Sequence, residues 1–239
     1  MLLDLFFPRV CLLCRAGTKR PTHLCLPCER ELPILPEGCL KCADACAEGT
    51  THCPACEAEA TPYDRSFACF SYEGQVAKLI TDLKFHANFP PTHLFSHTLL
   101  THIQTHWYQT RPLPTRLLPL PLHPKRLKTR GFNQALEIAR PLARALPLTL
   151  DTHSLVRLKN TAPQSGLGSA ERALNMSLAF SAVGSLLGEH VAILDDVMTT
   201  GQTLTAATLA AKAAGAATVD LWCVARTRRA KVAETQNNR

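Results

Sequence analysis

The sequence has no run of about 18 uncharged apolar residues, the length that a membrane-spanning helix needs, so we expect no membrane span. Residues 1–15 are apolar but have no basic start, contain Asp4 and run directly into Arg9 and the first cysteine pair, which is unlike a signal peptide. The pattern G-x4-G-K-[ST] is missing, which argues against a Walker-type phosphate loop. Only two tryptophans are present, and no ladder of aromatic residues for stacking bases is evident.

Cysteine, in contrast, is abundant: the chain has 11 cysteines, and ten of them precede residue 70. Eight form four C-x-x-C pairs, and each pair begins 14 residues after the previous one, which amounts to an internal repeat. One such pair could be redox-active, but the βαβ pattern expected beside it is missing. We expect a cytoplasmic protein, and in that compartment cysteine pairs are more often metal ligands than disulfides.

We predict two tetrahedral zinc sites of four cysteines each, because two residues between ligands let a tight turn direct both thiolates at one ion. The sites would be structural, since eight cysteines leave no open coordination position. Joining the first pair to the second and the third to the fourth gives the shorter loops, and crossed pairing stays open. Cys46, His23 and His52 are near enough to substitute, while Cys69 and Cys223 lie in strand-like runs typical of a core. The predicted ligands are Cys11, Cys14, Cys25, Cys28, Cys39, Cys42, Cys53 and Cys56.

The formal charge of +7 is unevenly distributed along the chain. Residues 1–60 carry six Lys/Arg against eight Asp/Glu, a net charge of −2, and the remaining residues carry 20 against 11, a net charge of +9. The basic residues cluster at 123–130 and 226–231. Such clusters are typical of a surface that contacts an anionic partner, either a polyphosphate or a nucleic acid, but a solvated surface that keeps the protein soluble has the same signature.

A polar stretch with a proline, residues 57–63, separates the cysteine segment from the rest. We therefore predict two domains, residues 1–60 and 61–239. In the second, strand-like runs alternate with helical periodicities, which predicts an α/β fold with a mostly parallel sheet. Pro141 is expected to kink or end its helix. Strands are expected at 65–72, 116–122, 190–196 and 218–227, helices at 75–85, 92–107, 131–146 and 203–217, a basic loop at 123–131, and a long functional loop leading to a short helix at 155–175.

Two adjacent acids, Asp195 and Asp196, end one of these strands and precede the loop V-M-T-T-G-Q-T. In a parallel α/β sheet, ligands bind beyond the carboxyl ends of the strands. The N-terminus of the following helix attracts phosphate, Gly201 lets the backbone approach it, and carboxylates accept hydrogen bonds from sugar hydroxyls or from water on Mg²⁺. A ribose 5-phosphate satisfies both halves. A Walker B carboxylate would need the missing glycine–lysine loop, and an ordinary strand-to-helix turn would not require two acids.

The stretch VAILDDVMTTGQT resembles the signature of type I phosphoribosyltransferases that binds phosphoribosyl pyrophosphate (PRPP). The whole chain resembles the ComF family, the group of ComFC and GntX. This resemblance runs from the paired cysteines through Y-E-G, L-K-F and PLPLHPKRLKTRGFNQA to R-x-K-x-T-x-x-Q-S-G-L at 157–167 and the acid–threonine motif. It implies a small double zinc ribbon in front of a phosphoribosyltransferase-like domain and a role in competence and DNA uptake. It does not fix the acceptor base.

The resemblance further implies that PRPP is bound together with Mg²⁺. Asp195 and Asp196 would be the catalytic acids that hold the ribose hydroxyls, and Lys84, at a helix end, either reaches them or remains a solvated surface lysine. The 5-phosphate would bind to Thr199, Thr200, Gly201, Gln202 and Thr203. The candidates for neutralising the pyrophosphate or closing over the site are Lys125, Arg126, Lys128, Arg130, Arg157, Lys159, Gln164 and Arg172.

Two functions from different classes are therefore expected. The first is transfer of the phosphoribosyl group from PRPP to an unidentified acceptor. The second is a non-catalytic adaptor in DNA uptake that retains the PRPP fold and binds single-stranded DNA or competence proteins through the basic loops and the ribbons. DNA binding through phosphates alone would weaken steeply with salt.

Overall fold

The computed structural model describes residues 9–36, 38–47, 50–159 and 179–228. Its centre is a five-stranded sheet in which all neighbouring strands are parallel, so the α/β fold with a parallel sheet is confirmed. The strands are β1 (Arg65–Ser71), β2 (Arg116–Pro119), β3 (Thr149–Leu150), β4 (Leu155–Arg157), β5 (Phe180–Ala182), β6 (His190–Met198) and β7 (Thr218–Arg226). The sheet has the order β1-β7-β6-β2-β3, and β4 and β5 form a separate antiparallel pair.

Helices fill most of the chain between the strands. They are α1 (Leu26–Arg30), α2 (Pro54–Ala58), α3 (Gly74–His86), α4 (Pro91–His102), α5 (Pro124–Arg130), α6 (Gln134–Ala145) and α7 (Gln202–Ala213), and a π-helical turn at Ile103–Trp107 extends α4. Each helix within the described ranges is too short or too polar to cross a bilayer.

The helices cover both faces of the sheet. On one face, α3, α4 and α6 bury Leu79, Leu94 and Ile138 in a common core. On the other face, α7 packs with the β4–β5 pair and buries Leu204. The central strands β6 and β7 are buried along nearly their whole length, because parallel strands covered on both faces direct both rows of side chains into a core.

The cysteine-rich segment packs beside β1, the strand at one edge of the sheet. The N–H of Leu35 donates a hydrogen bond to the carbonyl of Cys69 (2.9 Å), and the N–H of Ser66 donates to the carbonyl of Leu40 (2.6 Å). Cys11 belongs to the same buried cluster as Phe70 of β1. The segment therefore protects a sheet edge that would otherwise present unpaired backbone groups.

Three local predictions differ from the structure in whole or in part. Residues 124–130, expected in a loop, form α5, which begins at Pro124 because proline presets the helical φ, and His123 caps the helix by accepting a hydrogen bond from the N–H of Lys125 (3.2 Å). Of the two alternatives for Pro141, the helix end is excluded, because α6 continues to Ala145 with Leu142 buried against the core, and the kink stays a prediction. The segment 155–175, expected in a loop, begins as the strand β4, and its residues 160–175 lie outside the described part of the chain.

Candidate functional site

Two acids lie near the carboxyl end of β6, which has β7 on one side and β2 on the other. Asp195 is 9% exposed and Asp196 is 2% exposed. A buried carboxylate is unfavourable unless it has charged or hydrogen-bonding partners. The surroundings of each acid therefore indicate what the site is built to hold.

Asp196 has partners from two helices. Lys84 of α3 places its Nζ 2.6 Å from Asp196 Oδ2, and the two side chains are 20% and 3% exposed. Gln134 of α6 directs its Nε2 towards Asp196 Oδ1 at 3.5 Å, and Arg130 Nη1 donates to Gln134 Oε1 at 2.5 Å. Of the two possibilities for Lys84, the structure shows the first: it reaches the acid pair.

Asp195 differs from Asp196 in its electrostatic surroundings. Burial raises the pKa of its carboxyl well above the usual value, and the negative charge of Asp196 raises it further, against the opposing effect of Lys84. The N–H of Asp196 donates to Asp195 Oδ1 at 2.9 Å. A second negative charge is thus unfavourable here in the free protein, and hydroxyl donors or a cation from a ligand would offset that cost.

The loop after β6 leads into the N-terminus of α7. Thr199 and Thr200 are exposed, Gly201 is the N-cap of the helix with φ +82°, and Thr203 is half-buried in the first turn. Only glycine takes this left-handed backbone conformation at little cost. The first N–H groups of a helix point outward along its axis, so the loop and α7 together form a surface that suits an anion.

Two arginines, Arg130 and Arg157, interact electrostatically with the acid pair, and a third, Arg126, interacts with both of these arginines. Burial lowers the pKa of Arg130, while the charges of Asp196 and Asp195 raise it. Burial also lowers the pKa of Arg157 on β4, and the positive charge of Arg126 lowers it further, against Asp195. Lys125 and Lys128 are exposed on α5. Lys159 follows β4, with its carbonyl 3.4 Å from Arg157 Nε, and Gln164 and Arg172 lie outside the described residues.

The eight predicted zinc ligands form two clusters. In each cluster the four sulfur atoms lie within 4.8 Å of one another; the clusters are Cys11, Cys14, Cys25 and Cys28, and Cys39, Cys42, Cys53 and Cys56. The sequential pairing is therefore confirmed and the crossed pairing is excluded. Four thiolates at this separation are the donor set of a structural zinc site. Cys46 belongs to neither cluster, and Cys69 and Cys223 are buried in the core.

The two clusters repeat the same local structure. Arg15 and Ala43, each one residue after a cysteine pair, have φ +64° and +56°, and the second pair of each cluster flanks the start of a one-turn helix. Burial raises the pKa of the Cys11 thiol, but backbone N–H groups outweigh it and lower this pKa to about 6. The same balance lowers the pKa of Cys39 to about 7. Neighbouring thiols raise the pKa of Cys28 to about 12, and burial raises that of Cys42 to about 11, so each cluster favours thiolate, the form that binds zinc, at one cysteine before metal binds.

Two features of the site were missed by the sequence interpretation. Gln134, part of the motif G-F-N-Q, links Arg130 to Asp196, and only the packing of α6 against β6 brings these residues together. The basic cluster at 226–231 is not a continuous exposed surface, because Arg226 is 1% exposed. The side chain of Arg226 donates to the carbonyls of Met198 and Thr199, and these residues are too distant from Arg226 in sequence for a local pattern to predict the contacts.

Comparison with known proteins agrees with this organisation. The double zinc ribbon domain matches residues 2–57, and the phosphoribosyl transferase domain matches residues 127–238. The DNA utilization protein YhgH of Escherichia coli (strain K12) is 30% identical over 223 residues, which cover 92% of this chain and 98% of that protein. Competence protein F of Haemophilus influenzae is 28% identical over 229 residues, with 92% and 98% covered.

A shorter similarity extends to a third relative. Competence protein ComFC of Bacillus subtilis is 38% identical over 88 residues, which cover 37% of this chain and 34% of that protein. The alignments to YhgH and to competence protein F each cover 92% of this chain, so they extend over parts of both matched domains. The chain belongs to the ComF family, with an N-terminal double zinc ribbon and a phosphoribosyltransferase domain.

Proposed function

We propose that this protein binds PRPP with Mg²⁺ and transfers its phosphoribosyl group to an acceptor. One observation carries the proposal: a buried acid pair and an exposed glycine–threonine loop follow each other at the carboxyl end of a central strand. The acids suit hydroxyl groups and the loop suits a phosphate, and a ribose 5-phosphate presents both within one molecule.

The phosphate half of the site consists of the loop and the start of α7. The backbone of Thr199 to Gly201 can approach the 5-phosphate closely because Gly201 has no side chain at φ +82°. The hydroxyls of Thr199, Thr200 and Thr203 donate further hydrogen bonds. No acidic residue occurs between 197 and 203, so nothing within the loop repels the anion.

The ribose half consists of Asp195 and Asp196, which accept hydrogen bonds from the 2- and 3-hydroxyls. Two carboxylates are also the oxygen ligands that a hard cation prefers, so these residues fit Mg²⁺ carried by the substrate, and this ion supplies charge neutralisation of the pyrophosphate when bound. Binding of hydroxyl donors or a cation relieves the repulsion that raises the pKa of Asp195. Ligand binding would therefore favour the ionised pair.

The transfer step breaks the bond between C1 of the ribose and the pyrophosphate oxygen, which keeps the electron pair. C1 gains oxocarbenium character, and the ionised acids stabilise this positive charge. Arg130 and Arg157 interact electrostatically with the acids, and Arg126 interacts with both of these arginines, so the three would neutralise the departing pyrophosphate. A lone pair of the acceptor forms the new bond to C1, and the acceptor then loses its proton.

Calorimetry with PRPP and Mg²⁺ tests the site. The double variant Asp195→Asn/Asp196→Asn keeps the shape of both side chains and removes both charges, so we expect a loss of affinity of at least about tenfold. The matched control is Asp151→Asn. Asp151 lies on a different loop, where its Oδ2 is 3.1 Å from Arg116 Nη1, so this variant also removes a paired carboxylate. Unchanged affinity of the double variant would show that the acids do not hold the ribose.

A second function, binding of single-stranded DNA, is supported by a cavity that sequence reasoning missed. The cavity has a volume of about 530 Å³ and lies between the second half of the ribbon and β1. Its lining includes Arg65, Phe67, His102, His106, Trp107 and Arg111. The rings of Phe67 and Trp107 are 4.9 Å apart, and Arg65 Cζ lies 5.0 Å from the Trp107 ring. Of these residues, the half-buried ring of Trp107 suits an unpaired base and the exposed Arg111 suits a phosphate, whereas Phe67 is buried and Arg65 pairs with Asp220.

Two assays separate these functions. Pyrophosphate release is measured over a panel of nucleobases with PRPP and Mg²⁺, and fluorescence titration measures the affinity for a labelled single strand at several salt concentrations. Turnover with any base supports the transferase. The adaptor is supported if no base gives pyrophosphate release and the chain binds DNA in a salt-sensitive way that Arg111→Gln weakens and Arg144→Gln does not. Arg144 serves as the control because it is an exposed arginine of α6 outside the cavity. The relatives named for DNA utilization and competence support a place in DNA uptake in either case.

A further inference from the structure

One buried arginine connects the second cysteine cluster, which contains Cys42, to the loop at 199–203. Arg226, the last residue of β7, is 1% exposed. Its Nε donates to the carbonyl of Cys42 at 2.8 Å. Its Nη1 donates to the carbonyl of Met198 at 3.0 Å and to the carbonyl of Thr199. A single guanidinium therefore spans a zinc-ligand residue and the first residues of the loop.

The ribbon end of this connection depends on metal binding. Cys42 is a member of the second cluster and is 1% exposed, and the turn after it places Ala43 at φ +56°. The sulfur of Cys42 lies 3.7 Å from that of Cys53. Cys42 and Cys53 would hold a zinc ion together with Cys39 and Cys56, and such an ion would fix the backbone of Cys42 and hence the carbonyl that accepts from Arg226.

The loop end of the connection orients the groups that would meet the phosphate. In a planar trans peptide the C=O and the following N–H point in opposite directions. The carbonyls of Met198 and Thr199 point to Arg226, so the N–H groups of Thr199 and Thr200 point away from it. The guanidinium also neutralises two carbonyl oxygens that would otherwise weaken the attraction of the loop for an anion.

We propose that Arg226 is a positioning residue through which zinc at the second cysteine cluster sets the affinity of the loop at 199–203 for phosphate. The inference rests on the proposed function of this loop and adds to it a role for the ribbon. The first cluster is not part of the connection: among the described residues, the side chain of Arg226 donates to Cys42, Met198, Thr199 and Thr227.

The first test measures the affinity of the full, zinc-loaded chain for ribose 5-phosphate by calorimetry. We expect Arg226→Gln to weaken binding at least roughly tenfold, since it removes charge-assisted hydrogen bonds. Arg226→Lys restores the charge but not the fork geometry, so it recovers only part of the affinity. Arg228→Gln is the matched control, because Arg228 carries the same charge two residues later, is exposed and contacts Ser71.

The second test asks whether zinc acts through Arg226. Cys53→Ser is expected to lower the zinc content from two ions to one and to weaken ribose 5-phosphate binding, and Cys14→Ser, in the first cluster, to cause the same zinc loss with a smaller effect on affinity. In the Arg226→Gln background, Cys53→Ser should weaken binding no further. An arginine with a merely structural role would lower thermal stability without removing this dependence of affinity on zinc.

The outcomes separate this inference from the proposed function. If the wild-type chain binds neither ribose 5-phosphate nor PRPP, the proposed function fails. If it binds ribose 5-phosphate and Cys53→Ser or chelation of zinc leaves the affinity unchanged, the coupling is refuted and the proposed function stands. If Arg226→Gln does not fold, Arg226→Lys and Cys53→Ser carry the test, because equal affinity in both and in wild type contradicts the inference.

Discussion

The ion pair between Lys84 and Asp196 offers the sharpest test of the site. Replacing Lys84 by Met leaves the length of the side chain nearly unchanged and removes its charge. Asp196, 3% exposed, then keeps a buried negative charge beside the carboxyl of Asp195. Loss of one partner of a buried pair costs about 3–5 kcal/mol. Because Lys84 is 20% exposed, water compensates in part, and we expect a decrease of about 3 kcal/mol in the free energy of unfolding.

A double-mutant cycle measures this value. Urea unfolding at pH 7 is followed for Lys84→Met, Asp196→Asn and the combined variant, with the fluorescence of buried Trp222 as one probe. The combined variant has no unpaired charge, so it should recover most of the lost stability and give a coupling free energy of about 2 kcal/mol or more. Lys78 is an exposed lysine on the same helix, and Lys78→Met is therefore the control for the loss of a positive charge. Additive effects of the two single variants would refute the pairing.

Three further outcomes follow from the same structure. Because the folded-state pKa of Asp195 is raised, its contribution to stability is fully present below the unfolded pKa and is lost as the pH rises through the folded pKa. In urea titrations, Asp195→Asn should therefore raise the unfolding free energy at pH 7–8 and flatten the dependence of this free energy on pH. An unchanged pH profile would contradict the raised pKa. Gly201→Ala forces an alanine to φ +82°. Calorimetry should therefore show weaker binding of ribose 5-phosphate, and urea unfolding should show a loss of about 1 kcal/mol in stability. Metal analysis should find two zinc ions per chain, one in Cys39→Ser and still two in Cys46→Ser; two ions in Cys39→Ser would disprove the second site.

The zinc clusters could be predicted in detail because their information is local. Two residues between ligands fix each turn, whereas the equal spacing of 14 residues leaves open which pairs share an ion, and only the structure shows this pairing. The strand, glycine and helix around the loop at 199–203 were also predictable, since they follow each other without interruption, and phosphate binding by this loop stays a prediction. The boundary at residue 60 stays a prediction, and the shared core of Cys11 and Phe70 shows that the two parts pack together.

The remainder of the site depends on contacts between distant segments. Lys84 and Asp196 are brought together by the packing of α3 on the sheet, and a lysine at a helix end has no feature in sequence that separates it from a solvated one. Arg226 lies in a basic run whose composition indicates exposure, yet the end of a buried central strand holds it under the loop. Composition describes the neighbours in sequence, and burial is decided by the neighbours in space.

The two acids, identical in sequence chemistry, are distinguished by the geometry of the strand. Successive side chains of a strand point to opposite faces of the sheet. Asp196 is directed towards α3 and α6, where Lys84 and Gln134 provide partners, while Asp195 is influenced by Arg157 of β4, which belongs to the opposite face. Burial raises the pKa of Asp195 well above its usual value. Asp196 has an ion-pair partner within the protein, whereas hydroxyl donors or a cation from a ligand would favour the charge of Asp195, so binding of a ribose phosphate and ionisation of Asp195 would be linked.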